Sequence, residues 1–128
     1  MTGLDVALAA KALVGTPFRL RGRNPATGLD CVGLVSEALG APAPSGYNLR
    51  NRDISAALAF VPGAGLVDAC GPPQPGDVLL VRTGPAQHHL LIAGSDGGFI
   101  HAHAGLGRVV ETPVLPPWPI ERLWRLKD

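Results

Sequence analysis

Residues 30–40 read Asp30-Cys31-Val32-Gly33-Leu34-Val35-Ser36-Glu37-Ala38-Leu39-Gly40, and their pattern decides the fold. Asp30 stands where a helix N-cap belongs, Val32, Val35 and Leu39 recur on one helical face, and Gly40 readily ends a helix in left-handed backbone. Cys31 is therefore expected in the first turn of a helix. A thiol there lies among unpaired N–H groups at the positive end of the helix dipole, which lowers its pKa. The same amides can hold a developing oxyanion. Free cysteine is also among the most buried residue types, so position alone leaves a role as a small hydrophobe open. Asp30 opposes a thiolate unless its carboxylate is engaged in capping.

Upstream of this helix, Thr2 and Asp5 have the spacing of a capping box. Val6, Ala9, Ala10 and Leu13 then share a face and Gly15 ends the pattern, so a first helix is expected with no chemistry on it. Residues 16–29 carry Pro, Gly, Asn and three Arg without periodicity. Downstream, residues 41–46 read as a loop, 54–60 as a short third helix and 72–76 as a turn cluster. The period then changes. Residues 77–82, 88–93, 98–104, 108–112 and 120–126 are short, rich in Val, Leu or Ile, and separated by turn formers. Helices followed by an antiparallel meander make the α+β class, with N-terminal helices packed on a C-terminal sheet of about five strands. Residues 115–119, with their prolines, read as an extended corner before the last strand.

A chain of 128 residues fits one domain with one core, and no linker divides it. The net charge of +1, with nine Arg and two Lys scattered along the chain, offers no field for a phosphate backbone, so nucleic acid is not an expected partner. Gly and Pro number 17 and 13, which excludes coiled-coil and fibrous forms. No run approaches the roughly 20 apolar residues that cross a bilayer, and the apolar N-terminal stretch has no basic lead, so neither membrane insertion nor a signal peptide is expected. Cys31 and Cys70 are expected to be reduced, with Cys70 a bystander beside Gly71 and Pro72.

The histidines extend the chemistry of Cys31. If residues 94–96 form a three-residue hairpin loop, His89 stands opposite His101 on one face of the sheet, where Cβ atoms lie about 5 Å apart. His101 then hydrogen-bonds one nitrogen of His89 and leaves the other for the thiolate, the order of nucleophile, base and orienting group that cysteine hydrolases need. A two-residue turn at Asp96-Gly97 would instead pair His89 with Ala104 and break the contact. His88 points to the opposite face and reads as a surface residue, whereas His103 shares the face of His101. A Cys with three His is also acceptable zinc chemistry, but the tight ligand pairs of structural zinc sites are missing, and no metal or cofactor is expected.

These residues fall in a familiar order. The segment Gly15–Leu39 (GTPFRLRGRNPATGLDCVGLVSEAL), then Pro75–Val81 (PGDVLLV), His89–Gly94 (HLLIAG) and Phe99–Gly105 (FIHAHAG), resembles the NlpC/P60 cysteine peptidases, a papain-like group that cleaves peptide bonds in peptidoglycan stems. The gap of twelve residues between His89 and His101 adds to the match. The resemblance implies a papain-like NlpC/P60 fold with Cys31 as nucleophile, His89 as base and His101 as the group that orients it. Arg19, Arg21, Arg23 and Arg50 lie in loops flanking the expected site, where Arg suits bidentate recognition of stem carboxylates, and Asp30, Phe18, Arg19, Arg21, Tyr47 and His103 are the candidates for substrate binding or oxyanion stabilisation. Many members carry a Tyr where this chain has Phe18, and that hydroxyl is lost here. The spacing from Pro17 to Cys31 is one residue longer than in common exported members. In this it is similar to the branch in phage tails and gene transfer agents, which implies synthesis in the bacterial cytoplasm and delivery to the wall on a phage-like particle with tail proteins as partners. The expected activity is hydrolysis of stem peptides through an acyl-enzyme. A non-catalytic tail module, or acyl transfer by the same triad, are the alternatives.

Overall fold

In the computed structural model, residues 1–42, 63–85, 87–115 and 117–127 are described. The expected third helix at 54–60, most of the loop at 41–46, and the candidates Tyr47 and Arg50 lie outside them. The chain begins with helix α1, Gly3–Ala12, started by a complete capping box: Asp5 N–H donates to Thr2 Oγ1 at 3.2 Å, and Thr2 N–H donates to the Asp5 carboxylate at 2.8 Å. Val6 and Ala10 are buried, while Leu4 and Leu8 stay exposed. Next come two minimal strands, β1 (Arg23–Asn24) and β2 (Gly28–Leu29), paired around a tight turn. Two residues are too few to show a period, which is why the sequence reads here as an unpatterned loop. Helix α2, Cys31–Leu39, follows directly, with Asp30 as N-cap and Gly40 in left-handed backbone at its C-cap.

The rest is an antiparallel sheet. Its strands are β3 (Leu66–Asp68), β4 (Val78–Gly84), β5 (Gln87–Ala93), β6 (Phe99–His103), β7 (Arg108–Thr112) and β8 (Ile120–Leu126), in the order β3-β8-β4-β5-β6-β7. The sheet thus has six strands rather than about five. The extra strand, β3, is three residues long, pairs Leu66 with Leu126, and is too short to alternate visibly. Among the described residues no helix is long and apolar enough to cross a membrane.

Alternation divides the sheet into two faces. Val78, Leu80, Leu90, Ile92, Ile100 and Trp124 pack against Val6, Ala10, Leu34 and Val35 of the helices, each large side chain contributing roughly 2 kcal/mol by leaving water. Leu79, Val81, Leu91 and Ala93 face the other way and are covered by Phe99, Leu115, Trp118 and Leu123. Asp77, 1% exposed, accepts both prongs of the Arg125 guanidinium at 2.9 and 2.8 Å and so ties β8 to the turn before β4.

The hairpin between β5 and β6 differs from the expected register by two residues. Its pairs are Ile92 with Ile100 and Ala93 with Phe99, which continued would put His89 opposite His103. The loop is five residues, closed by Gly94 N–H donating to Gly98 oxygen at 2.8 Å, because Gly94 and Gly98 both lie against Glu111, where a Cβ would meet its Oε2 at 2.7 and 2.9 Å. A shift of two residues preserves the face, so His89 and His101 become diagonal rather than direct neighbours.

The residue just before β1, Gly22, lies directly on the first turn of α2. A Cβ on Gly33 would stand 2.1 Å from the Gly22 carbonyl oxygen, and one on Gly22 would stand 2.2 Å from that of Gly28. Backbone packs on backbone here, and neither partner can rotate away. Gly33→Ala is therefore expected to lower the unfolding free energy in urea by about 1–3 kcal/mol, against less than about 0.5 kcal/mol for Glu37→Ala on the exposed side of the same helix. Equal losses for the two variants would contradict this contact.

Candidate active site

The site starts from one carboxylate. Asp30 is 5% exposed, and its oxygens accept from Gly33 N–H at 2.8 Å, Arg21 N–H at 2.9 Å and the Arg23 guanidinium at 2.8 Å. The first bond caps α2. The other two fasten the loop before it, so the segment carrying Phe18 and Arg21 is held beside the first turn of the helix. Arg23, one of the arginines expected in loops flanking the site, is thereby engaged within the fold.

Cys31 is the first residue of α2 and is 8% exposed. Only two residue pairs hold β5 to β6 in the ladder, and past them α2, which packs against both strands, brings Cys31 to the backbone of Leu90. The expectation of a lowered thiol pKa is reversed. Burial, and then the neighbouring Asp30 carboxylate, push the Cys31 thiol up to about 12, against the pull of the amides of Leu90, Val32 and Cys31 itself. The dipole argument holds in direction but loses to desolvation, because this helix N-terminus lies inside the protein rather than at its surface.

His89 and His101 stand on the far face of the sheet from the helices. His89 Nε2 lies 3.1 Å from His101 Nδ1, with the rings crossed at 82°. This leaves Nδ1 as the nitrogen of His89 that is free for another partner. Burial first, and then the neighbouring His101 and His103, pull His89 down to about 4; burial and His103 do the same to His101, also to about 4. Both imidazoles are neutral at pH 7. His101 is 1% exposed, and its Nε2 is buried with no hydrogen-bond partner among the described residues. His103 accepts Leu106 N–H on Nδ1 at 3.0 Å.

These groups open into one cleft of about 490 Å3, lined by Phe18, Arg21, Asp30, Cys31, His89, His101 and His103 among others. Arg19 is exposed and is not part of the lining, and its backbone oxygen accepts from Gly22 N–H in the turn before β1. His88, expected at the surface, is partly buried and lines the cleft with its Nδ1 enclosed. Among the described residues no group of three or more His, Cys, Asp or Glu is arranged to hold a metal ion.

The residue that sequence reasoning missed is Trp118. Its ring stands 6.0 Å from that of His89 and 6.1 Å from that of His101, nearly perpendicular to both, and it lines the same cleft. An indole in this place is expected to keep water from the hydrogen bond between the two imidazoles. The only signal for it was a Trp in a proline-rich corner, where a core role is the ordinary reading.

The fold has counterparts among solved structures. NlpC2 from Trichomonas vaginalis superposes with a TM-score of 0.67 at 21% identity, over 96% of this chain and 45% of that one. NlpC1 from the same organism gives 0.70 at 22%, over 95% and 44%. The NlpC/p60 domain of the peptidoglycan hydrolase SagA gives 0.59 at 22%, over 87% and 88%. The fold is that of an NlpC/P60 domain. It spans less than half the length of the two Trichomonas chains and nearly all of the SagA domain. The sequence matches no family profile and no curated protein.

Within this NlpC/P60 fold, the arrangement makes Trp118 testable. Trp118→Ala is expected to admit water and raise the pKa values of His89 and His101 from about 4 toward the ordinary 6.5, read by NMR titration of the imidazole protons. Trp118→Phe is expected to hold them low. Histidine titrations that do not respond to the loss of the indole would contradict a sealing role.

Proposed function

We propose that this chain is a cysteine hydrolase that cuts peptide bonds in peptidoglycan stem peptides, with Cys31 as nucleophile, His89 as base and His101 as the group that orients it. The observation that carries the reading is the 3.1 Å contact between His89 Nε2 and His101 Nδ1 in the cleft that Cys31 shares. The likeness in fold to a domain of a named peptidoglycan hydrolase supports it.

The chemistry begins from a neutral thiol beside a neutral imidazole. In the productive tautomer His89 carries its proton on Nε2, donates it to His101 Nδ1, and keeps Nδ1 as an acceptor. The thiol proton passes to His89 Nδ1 as sulfur attacks the scissile carbonyl carbon. The oxyanion that forms takes hydrogen bonds from amides at the start of α2. The proton on His89 Nδ1 then goes to the leaving amine, the C–N bond breaks, and a thioester on Cys31 remains. Water, losing a proton to His89, releases the acid and restores the thiol. A buried pair of this kind forms its charges only during reaction, when substrate fills the cleft.

One observation favours a second reading, a non-catalytic module that keeps the fold: Phe18 lines the cleft where many members of the family carry a Tyr hydroxyl. We further propose, from the spacing of Pro17 and Cys31, that the chain acts at the wall as a component of a phage-like tail. Sedimentation with such particles tests this.

Purified protein is expected to release new amines from peptidoglycan, and Cys31→Ala to reduce the rate by at least about 1,000-fold. Since His89 must be neutral to accept the thiol proton, kcat/KM should hold down to about pH 5 and fall as pH drops through about 4. Amine release that is absent, or unchanged in Cys31→Ala, contradicts the hydrolase. An acid limb near 6.5 contradicts the neutral resting base.

A further inference from the structure

Strand β5 sends His88 and His89 to opposite faces of the sheet, and both line the cleft. The mechanism uses His89 and leaves His88 without a task. His88 shares with Leu90 the side that faces the helices, and Leu90 is where Cys31 meets the strand. Its ring is partly buried, and Nδ1 is enclosed with no hydrogen-bond partner among the described residues. A neutral imidazole carries one proton, which on Nδ1 would be an enclosed donor with nothing to accept it. The favoured tautomer of the neutral ring therefore carries its proton on Nε2, the nitrogen left to meet a group in the cleft. Thr83 and Gln87 line the cleft beside it, and among the described residues no side-chain hydrogen bond engages either one.

Topology assigns the two walls of the cleft to different halves of a substrate. The turns after β4 and after β6 lie at the same end of the sheet, and β5 pairs with β6 only at the other end, through Ile92–Ile100 and Ala93–Phe99. The cleft opens where the two strands part. One wall comes from the ends of β4 and β5 and carries Thr83, Gln87 and His88. The other comes from the β6–β7 turn and the loop of Phe18, whose N–H donates to Gly107 oxygen at 2.8 Å. Asp30 fastens that loop to the first turn of α2, whose amides hold the oxyanion in the proposed mechanism, so the acyl half lies with this second wall. His89 hands its proton to the amine that leaves, so the other half departs along β5, past His88. The hydroxyl, carboxamide and imidazole it meets there suit the carbonyl and N–H groups of a peptide backbone.

We propose that His88, flanked by Thr83 and Gln87, forms the subsite for the leaving half of the substrate, with His88 Nε2–H donating to the carbonyl oxygen of the residue that leaves. This rests on the hydrolase reading. It adds to that reading a peptide residue with its own carbonyl on the amine side of the bond that is cut, and a neutral histidine that binds it without exchanging a proton.

The test uses two stem peptides with the same acyl half and the same scissile amide. In one the leaving residue ends in a carboxamide, and in the other a methyl group replaces that carboxamide. The ratio of their kcat/KM values is measured in wild type, His88→Leu and His88→Gln. Taking the ratio within each protein cancels the intrinsic difference between the two amines and any loss of folded enzyme. The preference for the carboxamide is expected to fall about five- to tenfold in His88→Leu, as one neutral hydrogen bond gives, and His88→Gln, which keeps an N–H donor, should retain part of it. A ratio that does not move in His88→Leu, or a loss that is equal for both peptides, overturns the contact while leaving the hydrolase in place. If wild type cleaves neither peptide, the hydrolase is contradicted and this subsite falls with it.

Discussion

The position of Cys31 depends on the buried carboxylate of Asp30. It caps α2 through Gly33 N–H and grips the preceding loop through Arg21 N–H and the Arg23 guanidinium. Helix, loop and thiol are fixed relative to one another by these bonds. The close approach of Gly33 to the Gly22 carbonyl leaves no slack for another arrangement. The carboxylate that positions Cys31 also disfavours its thiolate, an electrostatic conflict that the three donors around Asp30 reduce and do not remove.

Burial settles the resting state. Taking Cys31, His89 and His101 away from water pushes the thiol up to about 12 and both imidazoles down to about 4. A neutral thiol then shares the cleft with a neutral imidazole pair, against which the ring of Trp118 stands. Such a site gains little from a preformed ion pair and much from a substrate that completes the enclosure. In the proposed mechanism the amides at the start of α2 stabilise charge only as it develops on the carbonyl oxygen. The division of the sheet into two faces makes this possible. The helices cover one face, His89 and His101 stand on the other, and past the short β5–β6 ladder α2 brings Cys31 to the Leu90 backbone and into the cleft that the two imidazoles share.

Much of this was legible in the sequence because the signals are local. The capping residues Thr2, Asp5 and Asp30, the periodic apolar faces of both helices, and the change to short strands after residue 76 each act within a few positions. The pairing of His89 with His101 was legible only as a shared face. The register itself depended on Gly94 and Gly98 packing under Glu111, a contact thirteen residues or more away in the chain. Strands β1, β2 and β3 are too short to carry a period. The direction of the thiol shift and the place of Trp118 were not legible at all, since both depend on how deeply tertiary packing buries the end of α2. Arg23 illustrates the same limit: nothing in its neighbours distinguishes it from Arg21, yet one pairs with Asp30 and the other faces the cleft.

The central claim is that Cys31 forms a covalent acyl intermediate with the help of His89. Its most direct measurement is a rapid-quench experiment on Cys70→Ser protein with a stem-peptide p-nitrophenyl ester, which acylates faster than it deacylates, followed by peptide mapping in a mass spectrometer. The account predicts a burst of about one nitrophenolate per protein, an acyl group on Cys31 and no other residue, and loss of both in His89→Ala. Ester turnover with no acyl group on Cys31, or an acyl group that forms as fast without His89, would contradict it.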